Sequence, residues 1–146
     1  MSVTELRVRR LDPRALIPQR AHPGDAGVDL HALEACELAP GARAVLRTGL
    51  AVEIPEGHAG LVMPRSGLAA RHGVTLVNAP GLIDAGYRGE LQVILINTDT
   101  AASYVIAAGD RIAQLVLSAV PTPAVVEVQG LSRSSRADGG LGSTGR

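Results

Sequence analysis

Five short segments of this 146-residue chain carry more charge, hydroxyl or glycine than packing alone requires. In Ala26-Gly27-Val28-Asp29-Leu30 an acid stands between two strand-type apolar residues behind a glycine. A turn with a solvated or capping aspartate explains that segment by itself. Pro64-Arg65-Ser66-Gly67-Leu68-Ala69 gathers a guanidinium, a hydroxyl and a glycine amide at the start of a helical turn. These groups suit a cluster of phosphate oxygens, and a capped turn is the rival explanation. The third segment runs from Asn78 to Leu91, with glycines at 81, 86 and 89 and one of only two tyrosines, Tyr87. Asp84 follows Leu82 and Ile83 there, so it is expected to be partly sheltered and able to hold a water as general base. A purely structural hairpin would also carry Gly and Asp. Gly109-Asp110-Arg111-Ile112-Ala113-Gln114-Leu115 reads as a tight turn entering a buried strand, with Asp110 and Arg111 paired across the turn. The last segment, Arg136-Ala137-Asp138-Gly139-Gly140-Leu141-Gly142-Ser143-Thr144-Gly145, offers consecutive amides that could wrap an anion, although composition alone gives a disordered tail. It is not a P-loop, because the chain has no lysine.

The elements that must position these residues are short. Hydrophobic residues make up 46% of the chain, enough for a folded core, and the length fits one domain. Fourteen basic and fourteen acidic residues cancel, leaving no global field for nucleic acid or an anionic membrane. With no Phe, no Trp and two Tyr there is no stacking platform for single strands. A single cysteine, Cys36, excludes an internal disulfide framework and a multi-cysteine zinc site. The apolar runs, such as Val93 to Ile96, fall far short of the ~20 residues of a membrane helix. Met1 to Arg10 has no signal-peptide core, so a cytoplasmic protein is expected.

The core must come from aliphatic residues, of which 22 are Val or Ile, a bias toward strands. Breaks at Pro40-Gly41, Pro55-Glu56-Gly57, Pro80-Gly81 and Gly109-Asp110 leave no room for long helices. Strands are predicted over roughly 3–10, 28–31, 42–54, 58–64, 74–78, 90–98, 103–107, 111–120 and 124–128. Residues 93–96 are apolar on both faces and predicted buried. One helical turn is predicted over Gly67 to His72, with Ser66 as its N-cap. Many strands and almost no helix give an all-β sandwich, barrel or jelly roll. An aliphatic core of this size further suggests apolar surface buried between subunits. Composition changes after Val128: residues 129–146 hold five Gly, four Ser and three Arg. A body over 1–128 and a flexible arm over 129–146 are therefore expected.

Taken together and in this order, the five segments closely resemble the five motifs of the trimeric deoxyuridine triphosphatase (dUTPase) family, from Leu11-Asp12 to the tail. The most specific are Gly81-Leu82-Ile83-Asp84-Ala85-Gly86-Tyr87-Arg88-Gly89 and Pro64-Arg65-Ser66-Gly67-Leu68-Ala69. The resemblance implies a jelly-roll homotrimer whose active sites lie between subunits. It implies hydrolysis of dUTP to dUMP and pyrophosphate, which limits uracil in DNA and supplies dUMP for thymidylate. Asp84 would then activate the water that attacks the α-phosphorus, in line with the leaving oxygen. Asp29 would help hold Mg2+ through water, with the phosphates as its main ligands. Arg65, Ser66, Gly67 and Gln114 would face the phosphates. Asn78, with backbone at Gly81, Leu82, Ile83 and Gln92, would read uracil, and Tyr87 would leave no room for a 2′-hydroxyl. Arg136 would neutralise the γ-phosphate, and Gly139 to Gly145, with Leu141 and Gly142, would close over the nucleotide.

Two departures from the family pattern stand out. Leu141 occupies the place of an aromatic that stacks on the base, at a cost of up to ~1–1.5 kcal/mol in lid closure. Ala137 stands where glycine commonly follows the arginine, which matters only if that position needs a positive φ. The rival readings are a dCTP deaminase of the same fold, whose deaminating glutamate has no counterpart here, and a non-catalytic nucleotide-sensing trimer.

Overall fold

The computed structural model describes residues 5–145. Ten strands and one short helix follow in order: β1 (Arg7–Arg10), β2 (Gly27–His31), β3 (Cys36–Leu38), β4 (Arg43–Glu53), β5 (His58–Met63), α1 (Ser66–His72), β6 (Val74–Leu76), β7 (Gly81–Ile83), β8 (Glu90–Asn97), β9 (Tyr104–Ile106) and β10 (Arg111–Ala119). They form antiparallel sheets in the orders β1-β4-β8-β6 and β2-β10-β5-β7, with β3 and β9 as a separate pair. The two larger sheets make the jelly-roll sandwich. One contributes Leu46, Val52, Val74, Val93 and Leu95 to the core, and the other Val28, Leu30, Val62, Ala113 and Leu115. Every one of these is aliphatic. Each large one buried stabilises by ~1.5–3 kcal/mol, so the core sums many modest terms instead of a few aromatic ones.

Most predicted strands lie where alternation placed them, and the departures have local causes. The predicted strand over 3–10 begins at Arg7, and its residues 3 and 4 lie outside the described residues. Within this run of β8 only Val93 and Leu95 are buried, while Ile94 and Ile96 are half-buried. The run 93–96 therefore has one core face, not two. The predicted strand over 124–128 does not form, because among the described residues no strand edge pairs with it. Val125, Val126 and Val128 are instead 101%, 71% and 57% exposed. β3 and β7 were not legible as separate strands, being three residues each.

The helix begins at Ser66, which puts the N-cap position on Arg65 instead. Arg65 keeps the extended backbone leaving β5 (φ −93, ψ 126) and makes no side-chain cap, so the Ser66 hydroxyl is not a cap either. Gly73, with φ 64, ends the helix in the left-handed region. A bulge interrupts β4 against β8 between Arg47 and Ala51. Buried Thr48 bridges it, its Oγ1 donating to the Leu91 carbonyl at 2.7 Å. Among the described residues no helix is long and apolar enough to cross a membrane.

Candidate active site

Sheet register assembles one group of the candidate residues. Asp29 of β2 pairs with Gln114 of β10, which in turn pairs with Met63 of β5. Two residues beyond Met63, Arg65 turns back toward the same end of the sheet. Its Nε lies 3.9 Å from Asp29 Oδ1, and its Nη1 donates to the Arg111 carbonyl at 3.3 Å. Arg111 approaches the other carboxylate oxygen, with Nη1 3.6 Å from Asp29 Oδ2. Arg111 therefore faces Asp29 on the neighbouring strand and not Asp110. Asp110 closes its own turn by accepting from the Ala107 N–H at 2.9 Å. Gly27 matters because the Gln114 side chain lies across it, with Oε1 2.7 Å from where a Cβ would stand. Ser66 and Gly67 follow at the first positions of α1.

His31, two residues past Asp29, was not singled out from sequence. Its Nδ1 is buried without a hydrogen-bond partner. Burial lowers its pKa from the ordinary value, Asp29 opposes that shift, and Arg111 and Arg65 reinforce it.

A second group lies on β7, β8 and the turn between them. Leu82, Ile83, Asp84, Tyr87 and Gln92 line a cavity of about 360 Å³, together with Val45, Glu90 and Ile94. The Tyr87 N–H donates to the Asp84 carbonyl at 3.0 Å, closing the turn. Arg88 fastens it from outside by donating to the Ala85 and Tyr87 carbonyls. Asp84 is exposed in the single chain, contrary to the sheltered position expected from its aliphatic neighbours. The reason is local: Leu82, two residues before it on the same face of the hairpin, points outward and is itself 63% exposed. Among the described residues no hydrogen bond occupies the Asp84 carboxylate, so both oxygens are free to hold a water. Asn78 lies beside this hairpin, its Nδ2 3.4 Å from where a Cβ on Gly81 would be.

Among the described residues, the cavity beside Asp29 has no lining residue in common with that of the hairpin. It measures about 490 Å³, and Asp29 and Arg111 line it with Arg10, Arg20 and His31. The tail residues join neither group. Arg136 Nε donates to the Gly139 carbonyl at 2.8 Å, and the other hydrogen bonds described for this segment stay within it. Leu141 is fully exposed, and Gly142 has φ 75. Ala137 does adopt a positive φ, 48°, where most such positions in the chain are glycine.

This arrangement is similar to known proteins along nearly the whole chain. A family model described as dUTPase matches residues 14–145. The chain is 59% identical over 138 residues to the deoxyuridine 5'-triphosphate nucleotidohydrolase of Thermobifida fusca, covering 94% of this chain and 77% of that protein. The dUTPase of Staphylococcus bacteriophage 80alpha, solved with dUPNHPP, superposes with a TM-score of 0.92 at 33% identity, covering 99% of this chain and 100% of the other. A dUTPase from phage phi11 of S. aureus, described with a structural Mg(II) ion, superposes with a TM-score of 0.81 at 32% identity, covering 87% and 98%. The motifs, the jelly roll and these matches agree from the first loop to the tail: the chain belongs to the dUTPase family.

Proposed function

We propose that this chain hydrolyses dUTP to dUMP and pyrophosphate, with Asp84 as the general base. The observation that carries the reading is an unoccupied carboxylate, Asp84, sharing one cavity with Tyr87, Gln92 and the edge of β7. A water held by Asp84 loses its proton to the carboxylate as it attacks the α-phosphorus, and pyrophosphate leaves on the opposite side. Aligning that water is the larger part of the work, since phosphoryl transfer depends chiefly on positioning and charge stabilisation.

The remaining residues divide by chemistry. β7 is paired only with β5, so its outer edge keeps free N–H and C=O groups for a pyrimidine. The pairing of β6 with β8 reaches no further than the Ile94 carbonyl, which accepts from the Val77 N–H at 2.9 Å, and this leaves the stretch around Gln92 open beside it. Gly81, Leu82, Ile83 and Gln92 read uracil from these edges, with Asn78 supporting the hairpin. Tyr87 packs under the deoxyribose. Arg65, Ser66, Gly67 and Gln114 take the phosphates. Residues 1–128 form the body and 129–146 the arm, in which Arg136 meets the γ-phosphate and Leu141 and Gly142 cover the base.

The donor set at Asp29 fits Mg2+. Both guanidinium contacts are longer than hydrogen bonds, so the carboxylate keeps free lone pairs, and among the described residues no group of three or more ligating side chains surrounds it. A cation that retains its waters and takes most of its ligands from the triphosphate requires no more. When bound, it screens the phosphate charge, while Asp29 orients one of its waters.

The assembly is a homotrimer that places the Asp84 hairpin of one subunit against the Arg65 group of another. Two features support it: Asp84 lines one cavity while Asp29 and Arg111, which contact Arg65, line another, and Val45, Val77, Leu82 and Val105 are each at least half exposed. The test is to incubate the protein with dUTP or dCTP and magnesium and resolve pyrophosphate from ammonia. Pyrophosphate from dUTP alone is expected. Ammonia from dCTP would make it a deaminase, and binding without turnover a sensor. Asp84→Asn keeps the shape without the basic oxygen, so it should bind dUTP nearly as before and lose most turnover.

A further inference from the structure

Tyr87 does not stand in its cavity unsupported. Its Oη donates to the Glu90 carbonyl at 2.9 Å, which folds the ring back over Gly89. A Cβ on Gly89 would lie 2.6 Å from Tyr87 Cζ and 2.9 Å from Cε2, so the ring occupies space that only glycine leaves open. The residue that accepts the hydroxyl is itself anchored. Both carboxylate oxygens of Glu90 accept from Arg47 Nε, at 3.2 and 3.1 Å, and Oε1 also accepts from the Gly49 N–H at 2.8 Å. Arg47 and Gly49 belong to the β4 bulge. Gly49 holds its place there with φ 69, and Ala15 lies 2.9 Å from where its Cβ would be. The Glu90 side chain is only 18% exposed, which shields these contacts from water.

We propose that Gly89, Glu90 and Arg47 are specificity-determining residues that act through Tyr87, by fixing its ring so that it cannot swing aside for a 2′-hydroxyl. The proposal rests on the reading that Tyr87 faces the sugar. A steric wall discriminates only as strongly as it resists displacement. Here the hydroxyl is spent on the chain's own backbone, so selectivity comes from the placement of the ring and not from a hydrogen bond to substrate. Glu90 and Arg47 are positioning residues: neither needs to touch the nucleotide.

The experiment compares kcat/KM for UTP and dUTP in Gly89→Ala, Tyr87→Phe, Glu90→Ala and Glu90→Gln, alongside thermal midpoints. Gly89→Ala displaces the ring and Tyr87→Phe releases it from Glu90. Both should raise the UTP-to-dUTP ratio, Gly89→Ala by about tenfold and Tyr87→Phe by less. Glu90→Ala should raise the ratio as well, and Glu90→Gln, which still accepts from Arg47 and Gly49, should restore most of it. A merely structural role would lower both rates together and leave the ratio alone. An unchanged ratio in Gly89→Ala, with dUTP turnover still measurable, overturns the proposal. If that variant does not fold, an unchanged ratio in Tyr87→Phe decides against it equally. Absence of dUTP hydrolysis in the unmodified protein is a different result, because it removes the reading of the site itself.

Discussion

The Oε1 of Gln114 lies 2.7 Å from the point where a side chain on Gly27 would begin, so the two residues on neighbouring strands β2 and β10 share one space. The conflict in Gly27→Ala falls mainly on the free end of a flexible side chain. The fold should therefore survive while the amide is pushed off the position from which it is proposed to face the phosphates. A loss of about tenfold in kcat/KM for dUTP is expected, on the scale of one hydrogen bond to a charged group. In a Gln114→Ala background the same change should add almost nothing. Two fully additive losses would show that Gly27 acts on something other than Gln114.

The proposed trimer, with each site shared between subunits, leads to a complementation test. A chain truncated after Val128 lacks Arg136, and an Asp84→Ala chain lacks the proposed base, so each should be nearly inactive alone. Refolded together as mixed trimers, they should regain activity where Asp84 from a truncated chain meets Arg136 from a full-length one. For equal random mixing in a closed cyclic assembly, roughly one quarter of the sites are complete. A mixture as inactive as its parts would place base and arm on the same chain.

The sequence disclosed the chemistry of this site more fully than its geometry. Asp29, Arg65, Asp84 and Tyr87 stand out by residue type among glycines and aliphatics, but each has a structural explanation by itself, and their proposed roles, like that of Gln114, come from the resemblance of the five segments in order. Arg47 and Glu90 did not stand out, because their pairing crosses 43 positions and depends on a bulge that leaves no mark in the alternation of β4. Residues 124–128 mislead for the opposite reason. Their valines have strand propensity, yet propensity does not supply a partner edge. The exposure of Asp84 was misjudged because Leu82 and Ile83 are aliphatic, and hydrophobic type does not say which way a hairpin residue points.

Ala137 holds φ 48, a left-handed backbone that costs a residue with a Cβ ~1–2 kcal/mol. The turn it makes is needed, since the Ala137 N–H bonds Ser134 at 3.1 Å and Arg136 Nε bonds Gly139 at 2.8 Å. Ala137→Gly should relieve that cost when the arm closes, less what glycine loses in ordering, and lower KM for dUTP up to about fivefold. Trypsin cleavage at Arg133 and Arg136 in the presence of a non-hydrolysable dUTP analogue should slow in parallel. An unchanged KM and cleavage rate would mean the arm closes with a different backbone.

Acid should destabilise the fold in part through Asp12. Its carboxylate accepts from the Arg14 Nε, Nη2 and backbone N–H, at 3.0, 2.8 and 2.9 Å. These bonds lower its pKa from 3.8 to about 2. Because the folded value is the lower one, the unfolded chain binds the extra proton first, and the contribution is fully present above pH 3.8. It is lost as pH falls from there through about 2. Chemical denaturation across that range should show Asp12→Asn losing less stability on acidification than the unmodified chain. Parallel curves would assign the acid sensitivity to other carboxylates.

The aliphatic core has a consequence for measurement. With no tryptophan, the chain's ultraviolet absorption near 280 nm and its intrinsic emission come from two phenols. One, Tyr104, lies against the His72 ring with centroids 4.7 Å apart. The other, Tyr87, lines the cavity that also holds Asp84. The protein thus carries a built-in optical label at the place where nucleotide is expected, with a single, differently placed ring as its background. Titration of the unmodified chain can be followed by tyrosine emission or near-ultraviolet dichroism, and Tyr104→Phe would leave a signal from Tyr87 alone.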